Sequence, residues 1–179
     1  MSPRGFLVID LDRCWGCRAC EVACKQELGL GVGPRPMKVE ETEARMVEDA
    51  LHRDFVPTPC QHCDQPACLE ACPVDAIVRE TDGTVQIRKD LCTGCGACVT
   101  ACPFGVVEIG EEGMPVKCTL CRERRKDGGL PSCAQHCIGR AITLAAEDEL
   151  AGLVRGRHSW KTGRLVYVSD KWSSLGAAL

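Results

Sequence analysis

Large aromatic residues are scarce in this chain of 179 residues, which contains three Trp, one Tyr and three Phe. So few rings cannot build a large conventional hydrophobic core. No stretch reaches the roughly 18 consecutive apolar residues that a membrane-spanning helix needs, and the net charge of -3 gives no basic excess for nucleic acid. We therefore expect no direct membrane span, no nucleic-acid partner and an interior that is filled by something other than aromatic packing.

The N-terminal residues also lack an export signal. The apolar run at residues 6–11 is short, Asp10 interrupts it and charged residues follow it, so it resembles neither a secretory signal peptide nor a twin-arginine leader. We therefore expect a cytoplasmic protein, with export alongside a signal-bearing partner as the alternative. Cysteines in a reducing cytoplasm are more often metal ligands than disulfides.

Cysteine is the residue that the chain has in excess, with 16 copies. In a two-cluster ferredoxin, the first three cysteines of a C-x-x-C-x-x-C-x-x-x-C run bind one [4Fe-4S] cluster, and the fourth, commonly followed by Pro, binds the other cluster. Four sets of four cysteines predict four complete [4Fe-4S] clusters with none left over. The four runs are Cys14, Cys17, Cys20 and Cys24; Cys60, Cys63, Cys68 and Cys72; Cys92, Cys95, Cys98 and Cys102; and Cys118, Cys121, Cys133 and Cys137.

Pairs of C-x-x-C motifs also occur in zinc sites, so a zinc-stabilised interaction module is the alternative from another class of protein. Zinc sites usually combine two separated pairs, whereas three of these runs place four cysteines within eleven to thirteen residues. His62 and His136 lie beside ligand cysteines, and we expect them to pack around a site rather than to bind iron. No Ser-His-Asp set, phosphate-binding loop or catalytic carboxylate pair is present, so we expect no catalysis by the chain alone.

An internal repeat relates the first and third runs, because residues 12–24 and 90–102 share the pattern D-x-C-x-G-C-x-A-C-x-x-A-C. Turn signals at residues 82–83 and 110–113 predict hairpins between the runs. Strands are expected at residues 5–11, 138–144 and 164–169, and helices at 40–53 and 147–154. The predicted fold class is α+β: a duplicated two-cluster bacterial-ferredoxin-like fold, with small antiparallel hairpins and short helices around iron-sulfur clusters on which folding depends.

The segments CWGCRACEVAC, CQHCDQPACLEACP, CTGCGACVTACP and CTLC, followed by an eleven-residue insert and CAQHC, resemble in order and spacing the iron-sulfur subunits of the dimethyl sulfoxide reductase family. The resemblance covers about residues 5–145, and it extends to polyferredoxin partners of tungsten and molybdenum pterin oxidoreductases. It implies an electron-transfer subunit that relays single electrons between a large molybdenum- or tungsten-pterin catalytic subunit and another redox partner, with a membrane-anchor subunit as a further possible partner. A free polyferredoxin or a hydrogenase-linked carrier stays open as the alternative.

The resemblance also implies which cysteines share a cluster. The first half, residues 1–28 with 112–145, is expected to bind one cluster through Cys14, Cys17, Cys20 and Cys137, and another through Cys118, Cys121, Cys133 and Cys24. The second half, residues 55–111, is expected to bind one through Cys60, Cys63, Cys68 and Cys102, and another through Cys92, Cys95, Cys98 and Cys72. Residues 29–54 are expected to form an inserted loop and helix. The sequence departs from the family pattern at Ile138, which replaces the usual Pro, and after Cys24, where no Pro follows.

Three features outside the cysteines concern a cluster or a partner. Trp15 lies inside the first run, and we expect it to shield a cluster from water. The basic residues 122–126 either compensate the charge of a cluster or dock a partner. The tail, residues 146–179, carries Trp160, Tyr167 and Trp172, which either cap their own domain or form an arm that docks on a partner.

Overall fold

The computed structural model describes residues 5–47 and 49–173. These residues form short strands and short helices, in agreement with the predicted α+β class. The strands are β1 (Gly5–Asp10), β2 (Met37–Glu41), β3 (Arg45–Val47), β4 (Ala50–His52), β5 (Phe55–Pro59), β6 (Ile77–Arg79), β7 (Val85–Ile87), β8 (Glu108–Ile109), β9 (Pro115–Val116), β10 (Ile142–Ala146), β11 (His158–Thr162) and β12 (Leu165–Ser169). The helices are α1 (Ala19–Glu27), α2 (Ala67–Glu70), α3 (Ala97–Ala101), α4 (Arg122–Lys126), α5 (Ser132–Gln135) and α6 (Leu150–Leu153).

The largest sheet has the strand order β10-β1-β12-β11, in which β1 runs parallel to β12 and antiparallel to β10. Both of its faces are covered, since side chains alternate between the two faces of a strand. Leu7 and Ile9 of β1 pack with Tyr167 in the main core. Phe6 and Val8 pack on the opposite face in a smaller cluster that the region of α6 covers. The predicted strands at residues 5–11 and 164–169 are therefore confirmed, and the one predicted at residues 138–144 lies slightly later, as β10.

Two small hairpins separate the cysteine runs, as the turn signals predict. Strands β6 and β7 pair around residues 82–83, where Asp82 Oδ1 accepts hydrogen bonds from the backbone N–H of Thr84 at 3.0 Å and from its hydroxyl at 2.7 Å. Strands β8 and β9 pair around residues 110–113, and the backbone N–H of Gly110 donates to the carbonyl of Met114 at 2.8 Å. Each hairpin carries the chain from one cysteine run to the next.

The helix predicted over residues 40–53 is wrong. This segment contains the end of β2, followed by β3 and β4; β2 pairs with β5, and β3 pairs with β4. The apolar spacing that suggested a helix included Leu51, which is exposed, whereas Met37, Val39 and Val56 are buried. Burial at alternate positions is typical of a strand that has one face on the core. The inserted segment is therefore a pair of nested hairpins.

The described part of the tail packs against the rest of the chain. The hydroxyl of Tyr167 donates to the carbonyl of Pro57 at 3.0 Å, and Trp172 Nε1 donates to the carboxylate of Asp54 at 2.9 Å. Tyr167 and Trp172 are both buried, and Trp160 packs against the same core. These aromatic residues therefore cap their own domain, while residues 174–179 of the predicted arm lie outside the described residues. In the described part of the chain, no helix is long and apolar enough to cross a membrane.

Candidate iron-sulfur sites

All four cysteine runs begin with the same backbone turn. The residue before the second cysteine of each run has a positive φ, in the left-handed region that non-glycine residues rarely adopt. Such a turn directs successive backbone N–H groups and thiols toward one point. The residues are Gly16 at 73°, His62 at 49°, Gly94 at 72° and Leu120 at 54°. At Gly16 there is also no room for a side chain, because a Cβ atom there would lie 2.5 Å from the ring of Phe55.

Each run then places its third cysteine at the second position of a short helix. The helices are α1, α2, α3 and α5, and their third cysteines are Cys20, Cys68, Cys98 and Cys133. The residue before that cysteine is Ala in three of the helices and Ser in the fourth. The fourth cysteine follows after one turn, so its thiol lies away from the first three and is free to serve another site.

Three groups of four cysteines each line a separate cavity. The cavity of the Cys14 site is lined by Cys14, Cys17, Cys20 and Cys137. The cavity of the Cys60 site is lined by Cys60, Cys63, Cys68 and Cys102. The cavity of the Cys92 site is lined by Cys92, Cys95, Cys98 and Cys72. In each site three cysteines come from one run and the fourth comes from another run.

The remaining four cysteines, Cys24, Cys118, Cys121 and Cys133, also lie close together, and we name them the Cys118 site. Burial raises the pKa of Cys24, and the negative charges of Cys118 and Cys121 raise it further. Burial also raises the pKa of Cys133, as do the charges of Cys118, Cys121 and Cys24. Cys24 therefore lies in the electrostatic field of a run that starts about a hundred residues later in the chain.

Buried thiols in these sites resist ionisation on their own. Burial raises the pKa of Cys20 and of Cys118 to about 12 and that of Cys68 to about 11, and the charges of neighbouring cysteines contribute to each rise. Four thiolates around one cavity repel each other unless cations neutralise them, and metal binding releases the thiol protons. The arrangement therefore fits iron-sulfur clusters, whose iron atoms take Cys thiolates as ligands.

Backbone N–H groups reach several of the sulfur atoms. The N–H of Ala76 donates to Cys72 Sγ at 3.2 Å, and the N–H of Ala141 donates to Cys137 Sγ at the same distance. Cys72 and Cys137 are the last cysteines of their runs, and in both cases the donor lies four residues further on. Hydrogen bonds to cluster sulfurs are one of the factors that set reduction potentials.

A single zinc ion needs thiolate ligands about 2.3 Å from one centre. Among the described residues, no group of three or more His, Cys, Asp or Glu side chains is arranged to hold a single metal ion. The cysteines of the Cys14, Cys60 and Cys92 sites instead line three separate cavities.

Shared buried clusters connect the four sites in a row. They join the Cys14 site to the Cys118 site, the Cys118 site to the Cys60 site, and the Cys60 site to the Cys92 site. The first cluster contains Cys20 and Cys24, the second contains Cys118 and Cys60, and the third contains Cys98 with Cys68 packed against it. At the two ends of this row lie Cys17 and Cys95, the two exposed cysteines of the sixteen.

The turn between β11 and β12 supports the Cys60 site from outside. The backbone N–H of Arg164 donates to the carbonyl of Gln61 at 2.7 Å. Gly163 approaches so closely that a Cβ atom there would lie 2.2 Å from the same carbonyl oxygen. The tail therefore fixes the first turn of a cysteine run, a role that the sequence does not indicate.

The basic segment at residues 122–126 forms ion pairs within the chain. Arg125 is buried and lies 2.8 Å from the carboxylate of Asp82 in the β6–β7 turn, and Arg124 lies 3.0 Å from Glu27 at the end of α1. Burial opposes the ionisation of Asp82, but hydrogen bonds from Thr84 and Arg125 hold the pKa of Asp82 below its usual value. The Arg125–Asp82 pair connects the first half of the predicted duplication to the second, whereas the Arg124–Glu27 pair lies within the first half.

The other predicted neighbours of the sites have different surroundings. Trp15 lines the cavity of the Cys14 site, yet 62% of its surface is exposed, so it covers that cavity only in part. His62 is buried, and its Nδ1 accepts a hydrogen bond from the backbone N–H of Val85 at 3.0 Å, which gives it a packing role.

Sequence reasoning missed Lys117, whose ammonium lies 3.6 Å from Cys60 Sγ. Its position directly before Cys118 is the only signal that the sequence offers.

Comparisons with known proteins identify the type of domain that the cysteine runs form. Residues 51–147 match the 4Fe-4S dicluster domain, and residues 7–27 match a 4Fe-4S binding domain. The protein is 37% identical over 152 residues to the thiosulfate reductase electron transfer subunit of Salmonella typhi, with 83% of this chain and 79% of that protein covered. It is 33% identical over 159 residues to a subunit of the anaerobic dimethyl sulfoxide reductase of Haemophilus influenzae, with 84% and 77% covered.

The nitrate-inducible formate dehydrogenase iron-sulfur subunit of Escherichia coli is 34% identical over 171 residues. That match covers 84% of this chain but 57% of the relative, so the chain spans little more than half the length of this protein. The 4Fe-4S domains and the sixteen cysteines together account for four [4Fe-4S] clusters. The chain belongs to the family of iron-sulfur electron-transfer subunits that contain the 4Fe-4S dicluster domain.

Proposed function

We propose that this chain relays single electrons through four [4Fe-4S] clusters, between a molybdenum- or tungsten-pterin catalytic subunit and another redox partner. The observation that carries the proposal is the single row of four adjoining cysteine sites with an exposed cysteine at each end. Relatives whose names identify them as electron transfer or iron-sulfur subunits of reductases and dehydrogenases support the proposal. The protein's part in the chemistry is to hold the clusters, fix their order and set their potentials.

We propose further that the sixteen cysteines bind the clusters in the four groups described above. Support comes from the three cavities, each lined by one such group, and from the charges of Cys118 and Cys121, which raise the pKa of both Cys24 and Cys133. A duplication of a two-cluster ferredoxin would account for this arrangement, with residues 1–28 and 112–145 in one half and residues 55–111 in the other. The paired N–H donors to Cys72 and Cys137 favour the same duplication.

Electrons would then enter and leave at the two ends of the row. At the Cys14 end, the exposed fraction of the residue surface is 67% for Ile138 and 62% for Trp15. At the Cys92 end, it is 49% for Leu91 and 39% for Val74. Exposed apolar side chains beside a partly exposed site are suited to docking a partner that must approach a cluster closely. We propose that the catalytic subunit docks at one end of the row and that the second redox partner docks at the other end. A membrane-anchor subunit is one candidate for this second partner.

Cluster assembly in the cytoplasm is part of the proposal, because the ligands must remain reduced thiols until iron binds them. The assembled complex then acts in the cytoplasm or is exported together with a partner that bears a signal. Localisation of the mature complex by cell fractionation distinguishes these two outcomes.

Anaerobic purification of the tagged protein from its own cells tests the function. We expect a large subunit that contains molybdenum or tungsten and a pterin to co-purify in equal amount. Recovery of the cluster-loaded protein alone, or of a hydrogenase in place of the pterin subunit, would favour the free-carrier or hydrogenase-linked alternatives.

Charged substitutions at the ends sharpen this experiment. We expect Ile138→Glu to release one partner and Leu91→Glu to release the other, because each places a charge in an apolar contact. Val32→Glu is the matched control, since Val32 is 96% exposed and lines none of the three cysteine-lined cavities. Retention of both partners by both end variants, with all clusters present, would show that the ends of the row are not the docking surfaces.

A further inference from the structure

Lys117 places a buried positive charge at the midpoint of the row of sites, between the Cys118 site and the Cys60 site. The residue is 4% exposed. Its ammonium donates to the carbonyl of Val85, to the carbonyl of Cys118 at 3.0 Å, and toward Cys60 Sγ at 3.6 Å. A lysine ammonium has three N–H groups, and here each has one acceptor. The neutral amine has one proton fewer, so the set of three acceptors matches the charged form.

The surroundings of Lys117 leave this charge to be balanced by the sites themselves. None of its three hydrogen-bond partners is a carboxylate; two are backbone carbonyls and the third is a cluster-site sulfur. A buried charge is costly unless an opposite charge lies nearby. Among the described residues, the anionic group in contact with Lys117 is therefore the Cys60 thiolate, and the second site meets Lys117 through the carbonyl of Cys118.

Lys117 contacts both of these sites. Its ammonium lies 3.6 Å from Cys60 Sγ in one site and 3.0 Å from the carbonyl oxygen of Cys118 in the other. Cys60 Sγ is the sulfur that the ammonium contacts directly, whereas Cys118 Sγ accepts a hydrogen bond from the backbone N–H of Leu120 at 3.3 Å.

We propose that Lys117 raises the reduction potentials of the two clusters at the junction, that of the Cys60 site most, and so favours electron passage between the two halves. The proposal rests on the proposed function, because it requires clusters in both sites. A cluster that accepts one electron from its neighbour gains one negative charge, while the neighbour loses one. A fixed positive charge in a buried setting stabilises the reduced form over the oxidised form, so Lys117 makes the Cys60 site the better electron acceptor.

The test is a redox titration of the purified, cluster-loaded full chain, followed by electron paramagnetic resonance. Lys117→Gln removes the charge but keeps hydrogen-bond donors, and Lys117→Arg keeps the charge. Signals are assigned to sites by their loss in Cys60→Ser and Cys118→Ser variants. Lys89→Gln is the matched control, because Lys89 is exposed and solvent screens its charge.

We expect Lys117→Gln to lower the equilibrium constant for one-electron reduction of the Cys60 cluster at least tenfold, a shift of about 59 mV. The Cys118 cluster should shift in the same direction by less, and the Cys14 and Cys92 clusters should keep their potentials. Lys117→Arg and Lys89→Gln should titrate like the unaltered chain. These results require iron and sulfide contents that match those of the unaltered chain.

Two outcomes would overturn the proposal. In the first, Lys117→Gln and Lys117→Arg titrate alike, so the charge has no effect on the potentials. In the second, both variants lose the Cys60 cluster, so Lys117 is needed for its shape and not for its charge. An unaltered chain with fewer than four clusters would instead overturn the proposed function itself, and iron analysis before the titration separates this case from the other two.

Discussion

A Cys24→Ser variant is expected to lose the cluster of the Cys118 site, or to retain it with fewer iron atoms, while the cluster of the Cys14 site stays intact. The physical reason is the direction of α1, which gives Cys20 to one site and carries Cys24 one turn further to the next. The charges of Cys118 and Cys121 raise the pKa of Cys24 more than the charge of Cys20 does, whereas the charges of Cys14 and Cys137 raise the pKa of Cys20. Sequence proximity alone would assign Cys24 to the Cys14 site.

Cys20→Ser is the matched control for this prediction. Cys20 and Cys24 lie in the same helix, each is 7% exposed, and the substitution is chemically identical. We expect Cys20→Ser to damage the cluster of the Cys14 site instead. The measurement is the number of reducible clusters, by electron paramagnetic resonance spin quantitation after full reduction.

Double variants identify the shared cluster without any prior assignment of signals. Cys24→Ser combined with Cys118→Ser should damage no more clusters than either single variant, because both residues serve one site. Cys24→Ser combined with Cys14→Ser should damage two clusters. The reverse pattern, in which Cys24 and Cys14 act on the same cluster, contradicts the proposed pairing.

Removal of the clusters is expected to unfold most of the chain. The second half, residues 55–111, has small buried groups of apolar residues, and cysteines of the sites are members of each. Without the clusters these thiols are protonated, and nothing fills the space between them. The remaining apolar contacts are then too few to offset the conformational entropy that the chain loses on folding. We expect acid treatment with a chelator to abolish most of the tertiary structure, as measured by near-ultraviolet circular dichroism.

The same experiment has an internal comparison, because the largest sheet has a core of its own. Phe6, Val8, Val166 and Val168 pack in a cluster that contains no cysteine. Amide hydrogen exchange should therefore show more residual protection in β1 and β12 than in the β6–β7 hairpin. A metal-free chain with native protection throughout would contradict the dependence of folding on the clusters.

The cysteine runs are easier to recognise in the sequence than the elements between them, because cluster ligation needs cysteines at fixed spacing. How the runs share cysteines is not visible in the spacing. The family resemblance implies it, since Cys137 joins the first run only through folding. His62 and Leu120 were not expected to adopt the left-handed turn that Gly16 and Gly94 adopt easily.

Features that depend on contacts between distant segments were not predictable from local patterns. The segment at residues 40–53 is strand because β5 pairs with β2, a contact that outweighs the helical spacing of its apolar residues. Lys117 resembles any surface lysine until folding places it against Cys60. Likewise, the burial of the tail aromatic residues depends on a distant segment. Tyr167 donates a hydrogen bond to the carbonyl of Pro57, and Trp172 donates one to the carboxylate of Asp54.

The central claim is that sixteen cysteines hold four cubane clusters, and metal and sulfide analysis of anaerobically prepared protein tests it most directly. A [4Fe-4S] cluster contains four iron and four sulfide, so we predict about sixteen iron and about sixteen acid-labile sulfide per chain. Stoichiometric zinc without labile sulfide in the same preparation would contradict the account and favour a zinc-stabilised interaction module.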